Sequence, residues 1–190
     1  MAYQPELIGG HLALDLLNTV SWRLDPARIV DRIADPEALA IWTAAVRLDA
    51  RTAPWPGKVD QPDAVLHERI AAVRQVVYDV VLPIARGMDP GALRELQALL
   101  VGALERATPT GRRPLDWTGA DLVDELVLAA GRLLEREDLS KLRECQDGGC
   151  GWLFLDRSKN GSRRWCSSGD CGNRARAKRH YERVRAGRES

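Results

Sequence analysis

The sequence predicts a mainly α fold in two parts, a helical N-terminal domain over residues 1–138 and a small cysteine-rich unit over residues 139–190. Three observations predict it. Through the first part, apolar residues recur at helical spacing behind carboxylate and proline start signals. All four cysteines of the 190-residue chain fall within one short stretch of the second part, and charge is divided unevenly between the two. Hydrophobic residues at 45% and charged residues at 29% are ordinary for a chain that buries a core, so disorder is not expected.

The elements follow in order. Gly9 to Thr19 is ambiguous: Leu12, Leu14 and Leu16 alternate as in a strand, whereas Leu14, Leu17 and Ser21 fit a helix. Asp35-Pro36 and Asp89-Pro90 each place a capping carboxylate before a proline at the first helical position, where the missing N–H costs nothing. Leu39, Trp42 and Val46 follow the first at helical spacing, and Leu93, Leu96, Leu100 and Leu104 the second. Between them a core helix is expected, with Val65, Leu66, Ile70, Val73, Val77, Val80 and Ile84 on one side and Glu68, Arg69 and Arg74 elsewhere. Pro83 is expected to kink or end it near Leu82, with Gly87 as the left-handed cap. Another helix runs from about Asp121 to Glu135, facing Leu122, Leu126, Ala129 and Leu133 inward, and a short turn from Asp138 to Arg143 leads to the first cysteine. The proline-rich stretches Thr52 to Pro62 and Thr108 to Thr118 read as loops.

Cys145, Cys150, Cys166 and Cys171 stand at the spacing C-x4-C-x15-C-x4-C, two close pairs separated by a loop. Tetrahedral zinc takes four sulfur ligands at about 2.3 Å, and close pairs on two turns supply them with little strain. Gly148, Gly149 and Gly169 suit the tight backbone of such turns, and Asn160-Gly161 between Trp152, Phe154 and Trp165 is a hairpin signal. The expected unit is a small treble-clef-like zinc finger: knuckle, β-hairpin, second knuckle, then a basic C-terminal helix whose first turn holds Cys171. Four thiolates fill the tetrahedron, so one structural Zn2+ is expected and no catalytic metal. Replacing Cys150 or Cys171 is expected to unfold this unit and leave the helical domain intact.

The net charge of +1 conceals an asymmetry. From residue 140 onward 13 lysines and arginines face 6 acidic residues, which leaves 15 against 21 before it. The run Arg174 to Arg188 has almost no apolar stripe, so it projects into solvent. Arg174, Arg176, Lys178, Arg179 and Arg183 on the helix, with Arg163 and Arg164 before it, are candidates for phosphate contact in nucleic acid, DNA before RNA. The other reading of the run is a solvated tail or a docking surface for an acidic protein partner.

Three histidines, His11, His67 and His180, and the absence of nucleophile-elbow, P-loop or dinucleotide motifs argue against an enzyme. No secretory signal and no membrane-length apolar run are present in the sequence, so no membrane partner and a cytoplasmic location are expected. His11, Asp15 and Asn18, with Trp22, Trp42 and Trp117, are candidates for a pocket that takes a small-molecule effector; the same residue types also build cores. A homodimer is the other role considered for the helical domain.

Cys171-Gly172-Asn173-Arg174 resembles the defining motif of the CGNR zinc finger, and the similarity extends through Cys150-Gly151-Trp152-Leu153-Phe154-Leu155-Asp156, Asn160, Arg163-Arg164-Trp165-Cys166-Ser167 and Arg179-His180. Gly9-Gly10-His11-Leu12-Ala13-Leu14-Asp15 with Asn18-Thr19 is similar to the start of the ABATE domain, which usually precedes this finger in bacterial proteins. The resemblance implies a stress-associated bacterial transcription regulator with a C-terminal DNA-binding finger. Within the motif, Asn173 is expected to bond the backbone or a cysteine sulfur. Arg174 is expected either to reach phosphate or to pair with Asp156 or Asp170.

Overall fold

The computed structural model describes residues 3–48, 62–111 and 114–186, so the expected loop from Thr52 lies outside the described residues up to Pro62. The ambiguous N-terminal segment is a helix, α1 (Leu12–Leu17), capped by His11, whose Nδ1 accepts from the Ala13 N–H at 3.2 Å. All six of its residues are buried, which explains a leucine pattern that satisfies two periods at once. A short antiparallel pair follows, β1 (Val20–Ser21) with β2 (Val30–Asp31). Helix α2 (Pro36–Leu48) starts as predicted, Asp35 accepting from the N–H groups of Glu37 and Ala38, and buries Leu39, Trp42 and Val46.

Helix α3 (Ala64–Ala85) is capped by Asp63, and it runs through Pro83 rather than ending at Leu82. A proline in a last turn removes one hydrogen bond, and the turn is closed beyond it by the N–H groups of Arg86, Gly87 and Met88. Gly87 takes the left-handed cap at φ +72°. Val65 lies at the solvent side of α3, and Arg74, expected away from the apolar side, is buried.

Helix α4 (Leu93–Arg106) begins later than Asp89-Pro90 predicts, at a left-handed Ala92 with no side-chain cap. Of its leucine stripe only Leu96 is fully buried, joined by Ala103, while Leu93 and Leu104 are exposed. The stretch read as a loop pairs β3 (Thr108–Thr110) with β4 (Asp116–Thr118), fastened by Arg132 to Asp116 at 2.9 Å and to the Trp117 carbonyl at 2.5 Å. Arg132 belongs to α5 (Leu122–Arg136), which Asp121 caps and which buries its predicted face. A 3-10 turn (Leu139–Lys141) leads to β5 (Leu142–Glu144), paired antiparallel with β6 (Leu153–Leu155), and α6 (Cys171–Ala186) closes the described chain.

Helix α5 sits at the centre, packed by α1, α3 and α4. Its buried carboxylates are matched: Asp124 by Arg106 and Glu125 by Arg132, at 2.5 and 2.7 Å. A second buried network ties α3 to the β1–β2 pair, where Arg74 donates to Thr19 Oγ1 at 2.7 Å and to both Asp31 oxygens, with His67 Nε2 3.2 Å from Asp31. Unpairing a buried charge costs about 3–5 kcal/mol, so this network fixes the α1–β1 corner on α3.

That corner carries the C-terminal part. Leu142, Leu153 and Leu155 are buried in the same apolar core as α1, α3 and α5. Asn18, at the end of α1, behaves like an extra strand residue: its amide donates to the Leu153 carbonyl and accepts from the Leu153 N–H, both at 2.9 Å. Trp152 Nε1 donates to Val20 O at 2.9 Å, and the Leu155 N–H donates to Gly9 O at 2.9 Å. Arg86 and Glu144 add a two-bond ion pair at 2.8 Å.

Asn18→Ala leaves two peptide groups of fully buried Leu153 without partners and is expected to cost about 2–4 kcal/mol in chemical denaturation; a loss below about 0.5 kcal/mol would contradict the role. Asp31 gives a pH dependence. Burial raises its carboxyl and the Arg74 hydrogen bonds and charge lower it, the balance holding it below its ordinary 3.8. A depressed carboxyl stabilises fully above pH 3.8 and progressively less as pH falls through its lower folded value. The stability gap between the wild type and Asp31→Asn should therefore shrink as pH falls below 4.

Candidate metal centre

Cys145 directly follows β5, and the ladder continues past it through its N–H to Trp152 O at 2.8 Å. A tight loop then brings Cys150 back before β6, closed by the Cys150 N–H on Asp147 O at 3.0 Å. The hairpin therefore encloses the first cysteine pair rather than lying between the two pairs. Asn160-Gly161 forms a turn held by Asp156, whose carboxylate accepts from Ser158 and from the Arg163 N–H at 2.9 Å. Those bonds occupy the edge that a second strand pair needs. Gly151 adopts φ +70°, and a Cβ there would stand 2.9 Å from Arg23 Cβ, so only glycine lets the loop lie against the N-terminal corner. Cys166 follows in a loop bonded to the first by Gln146 N–H to Arg164 O at 3.0 Å, and Cys171 opens α6.

The four cysteines are free and buried, and their Sγ atoms all lie within 4.8 Å of one another. Cys150 to Cys166 measures 3.7 Å and Cys166 to Cys171 3.4 Å. Sulfurs at the corners of a tetrahedron with 2.3 Å bonds are about 3.8 Å apart, so the set fits a single zinc ion. The thiols also show what binding has to overcome. Hydrogen bonds from Cys150 and Cys166 push Cys145 down to about 2, while sharing with Cys145 pushes Cys150 up to about 11. Cys166 is raised by its Cys145 hydrogen bond and Cys171 by burial. A divalent cation therefore displaces protons, and its charge is what makes four buried thiolates tolerable together.

A tetrathiolate zinc site carries two net negative charges, and the surrounding arginines answer them. Arg174 donates to Cys171 Sγ at 2.9 Å and to Asp147 at 3.0 Å, and pairs also with Asp170. Of the two roles expected for it, the structure therefore displays the internal pairing, with Asp147 in place of Asp156. Its guanidinium also lies over Trp22, 4.6 Å from the ring centroid, with Arg28 at 3.3 Å. Trp22 holds a left-handed φ of +57°, a costly conformation for a bulky residue, and its ring packs on Gly149. Arg163 stacks on Phe154 at 4.1 Å and donates to the carbonyls of Ile8, Trp165 and Cys166. Asn173 donates to Gly169 O at 2.6 Å and accepts from Arg176, which also reaches Ser168 O at 2.9 Å.

The seven basic candidates thus separate. Arg163, Arg164, Arg174 and Arg176 make hydrogen bonds within the finger, Arg164 and Arg176 while remaining exposed, and Lys178, Arg179 and Arg183 are exposed without a hydrogen bond among the described residues. From Arg176 to Ala186 every residue of α6 is exposed, as its lack of an apolar stripe predicts. The N-terminal candidates meet only in part. Asp15 accepts from the Gly9 N–H at 2.7 Å, Asn18 is committed to Leu153, and His11 caps α1. Asp15, Asn18 and Trp42 border a cleft of about 10 Å3, space for about one water, and His11 does not line it.

Two strands around a cysteine loop, a second loop and a helix opening on the fourth sulfur define a small finger organised by a closed four-sulfur metal site. Residues 141–184 match the family model of the CGNR zinc finger, and no curated protein matches the chain. Sequence reading missed the roles of Trp22 and Asp147 at this site. Neither belongs to the cysteine spacing, and their nearness to Arg174 arises from the docking of the finger on the N-terminal corner.

Cys171→Ser is expected to reduce bound zinc from about one ion per chain to a small fraction. Because β5 and β6 belong to the main core, metal loss should also lower the thermal midpoint of the helical part, in place of the independence expected from sequence. Arg174→Ala should weaken zinc affinity by about 10–100-fold in competition with a chromogenic chelator, the usual scale for a group bonded to a metal ligand. Unchanged affinity would show that the Cys171 contact contributes nothing.

Proposed function

We propose that this protein is a zinc-dependent DNA-binding transcription regulator of the kind the CGNR resemblance implies, in which the metal centre fixes the root of α6 and α6 presents cations to the phosphate backbone. One observation carries the reading: α6 leaves the metal centre with Cys171 and Gly172 buried and everything from Arg176 to Ala186 exposed, and that exposed part is strongly basic. A helix tethered at one end and uncovered along its length suits insertion beside a polyanion. The chain is read as a binding protein and not an enzyme, the four sulfurs leaving no open metal position.

The helical domain is read as the ABATE domain, with sensing or dimerisation as its role and stress as the associated signal. Asp15 and Asn18 support the finger rather than a ligand. The roomier described cleft of the helical part, about 480 Å3 between α4, α5 and the β3–β4 hairpin, is lined by Leu100, Leu104, Leu115, Trp117 and Leu128 and is the better place for an apolar effector. No helix among the described residues is long and apolar enough to cross a membrane.

Binding of the zinc-loaded protein to labelled duplex DNA, followed against salt, tests the reading. Four exposed cations in contact with phosphate predict a log–log slope of about −3 to −4. Absence of binding at low salt, or affinity indifferent to salt, would refute it and leave a protein-docking role for α6.

A further inference from the structure

The finger contains a convergence of cations that no carboxylate answers. Arg164, from the loop before Cys166, and Arg179, from the third turn of α6, both lie over the ring of Trp165, at 5.2 and 5.7 Å from its centroid. Trp165 is half-buried and packs on the cluster of cysteines with Trp152 and Phe154, so the metal centre fixes it from below. Arg164 is fixed twice more: its Nε donates to Gln146 Oε1 at 2.6 Å, and its carbonyl accepts from the Gln146 N–H at 3.0 Å. Gln146 is neutral, and among the described residues the terminal amino groups of Arg164 and the whole guanidinium of Arg179 have no carboxylate or hydrogen-bond partner.

The surrounding acids are committed or unpaired with these groups. Asp147 and Asp170 hold Arg174, Glu144 holds Arg86, Asp156 holds its own turn, and Glu182 of α6 forms no ion pair with Arg179 among the described residues. Two like charges from different elements repel unless an anion sits between them. Their separation is bounded: both carbons lie near one centroid, so they are at most about 11 Å apart, the sum of the two distances. Two planar guanidinium forks held within that distance by one ring suit the oxygens of neighbouring phosphates along a nucleic-acid backbone.

We propose that Arg164 and Arg179, positioned by Trp165, form a phosphodiester-binding fork that anchors the finger on a nucleic-acid backbone. This rests on the nucleic-acid reading above and deepens it. The anchor is this pair and not the motif arginine Arg174, which serves the metal centre. Trp165 is a positioning residue, the one ring that both guanidiniums lie against. Because the fork meets phosphate and no base edge, it supplies affinity and register without sequence preference. Zinc enters only through the support beneath Trp165.

The test measures anisotropy of a fluorescein-labelled mixed-sequence duplex titrated with full-length, zinc-loaded protein at several salt concentrations. Arg164→Gln and Arg179→Gln are each expected to weaken binding about 5–20-fold and to reduce the salt slope by about 1, with zinc content unchanged. Arg94→Gln, which removes one exposed charge from α4, is the control and should leave both readouts in place. Trp165→Leu should reproduce the loss seen with one arginine, whereas Trp165→Phe, which keeps a ring, should restore most of it. If Arg164→Gln and Arg179→Gln behave like Arg94→Gln while Lys178→Gln or Arg183→Gln loses affinity, the fork is overturned and the nucleic-acid reading stands. If the wild type binds no duplex at low salt, both fall.

Discussion

The convergence of four sulfurs on one point is the constraint on which the C-terminal quarter of this structure depends. Neither β5 nor β6 is long enough to stand alone, and α6 has almost nothing to bury. What holds these pieces in register is the requirement that Cys145, Cys150, Cys166 and Cys171 meet. Four thiolates in a buried cluster are unfavourable without a cation, so metal and fold are one equilibrium. The arginines complete the electrostatics. Arg174 touches a ligand sulfur directly, and Arg163 ties the second loop to the N-terminal segment through Ile8.

The finger is seated, not appended. Asn18 spends both halves of its amide on Leu153, Trp152 reaches Val20, and Trp22 lies between the guanidiniums of Arg28 and Arg174. These contacts come from a short stretch around α1 and β1, which is itself locked to α3 by Arg74 and Asp31. Hence there is a continuous path of buried polar contacts from α3 to the metal centre.

Much of this was legible in the sequence wherever the signal is local. Asp35-Pro36, the apolar period of α3, the Gly87 cap and the start of α5 each act through neighbours within one or two turns, and each appears where expected. The cysteine spacing announced the metal site because ligand geometry constrains spacing directly. Long-range pairing was not legible. Arg74 reads as a solvent residue until Asp31 and Thr19 are folded against it, and Asn18 reads as a ligand donor until Leu153 arrives from far along the chain. Asp89-Pro90 has the composition of a helix start, yet the helix begins at Leu93. Asn160-Gly161 forms its turn without flanking strands, because Asp156 and Ser158 take the backbone bonds that strands would use. Charge had the same blind spot. Seven arginines and lysines looked equivalent as a pattern, and only the fold shows which of them make hydrogen bonds within the finger.

X-ray absorption at the zinc edge of the purified full-length protein tests the central claim most directly, since it reads the metal's own neighbours. The account predicts one zinc per chain with four sulfur neighbours at about 2.3 Å and no nitrogen or oxygen in the first shell. A folded, zinc-free protein, or a zinc bound by light atoms while the cysteines are oxidised to cystines, would contradict it.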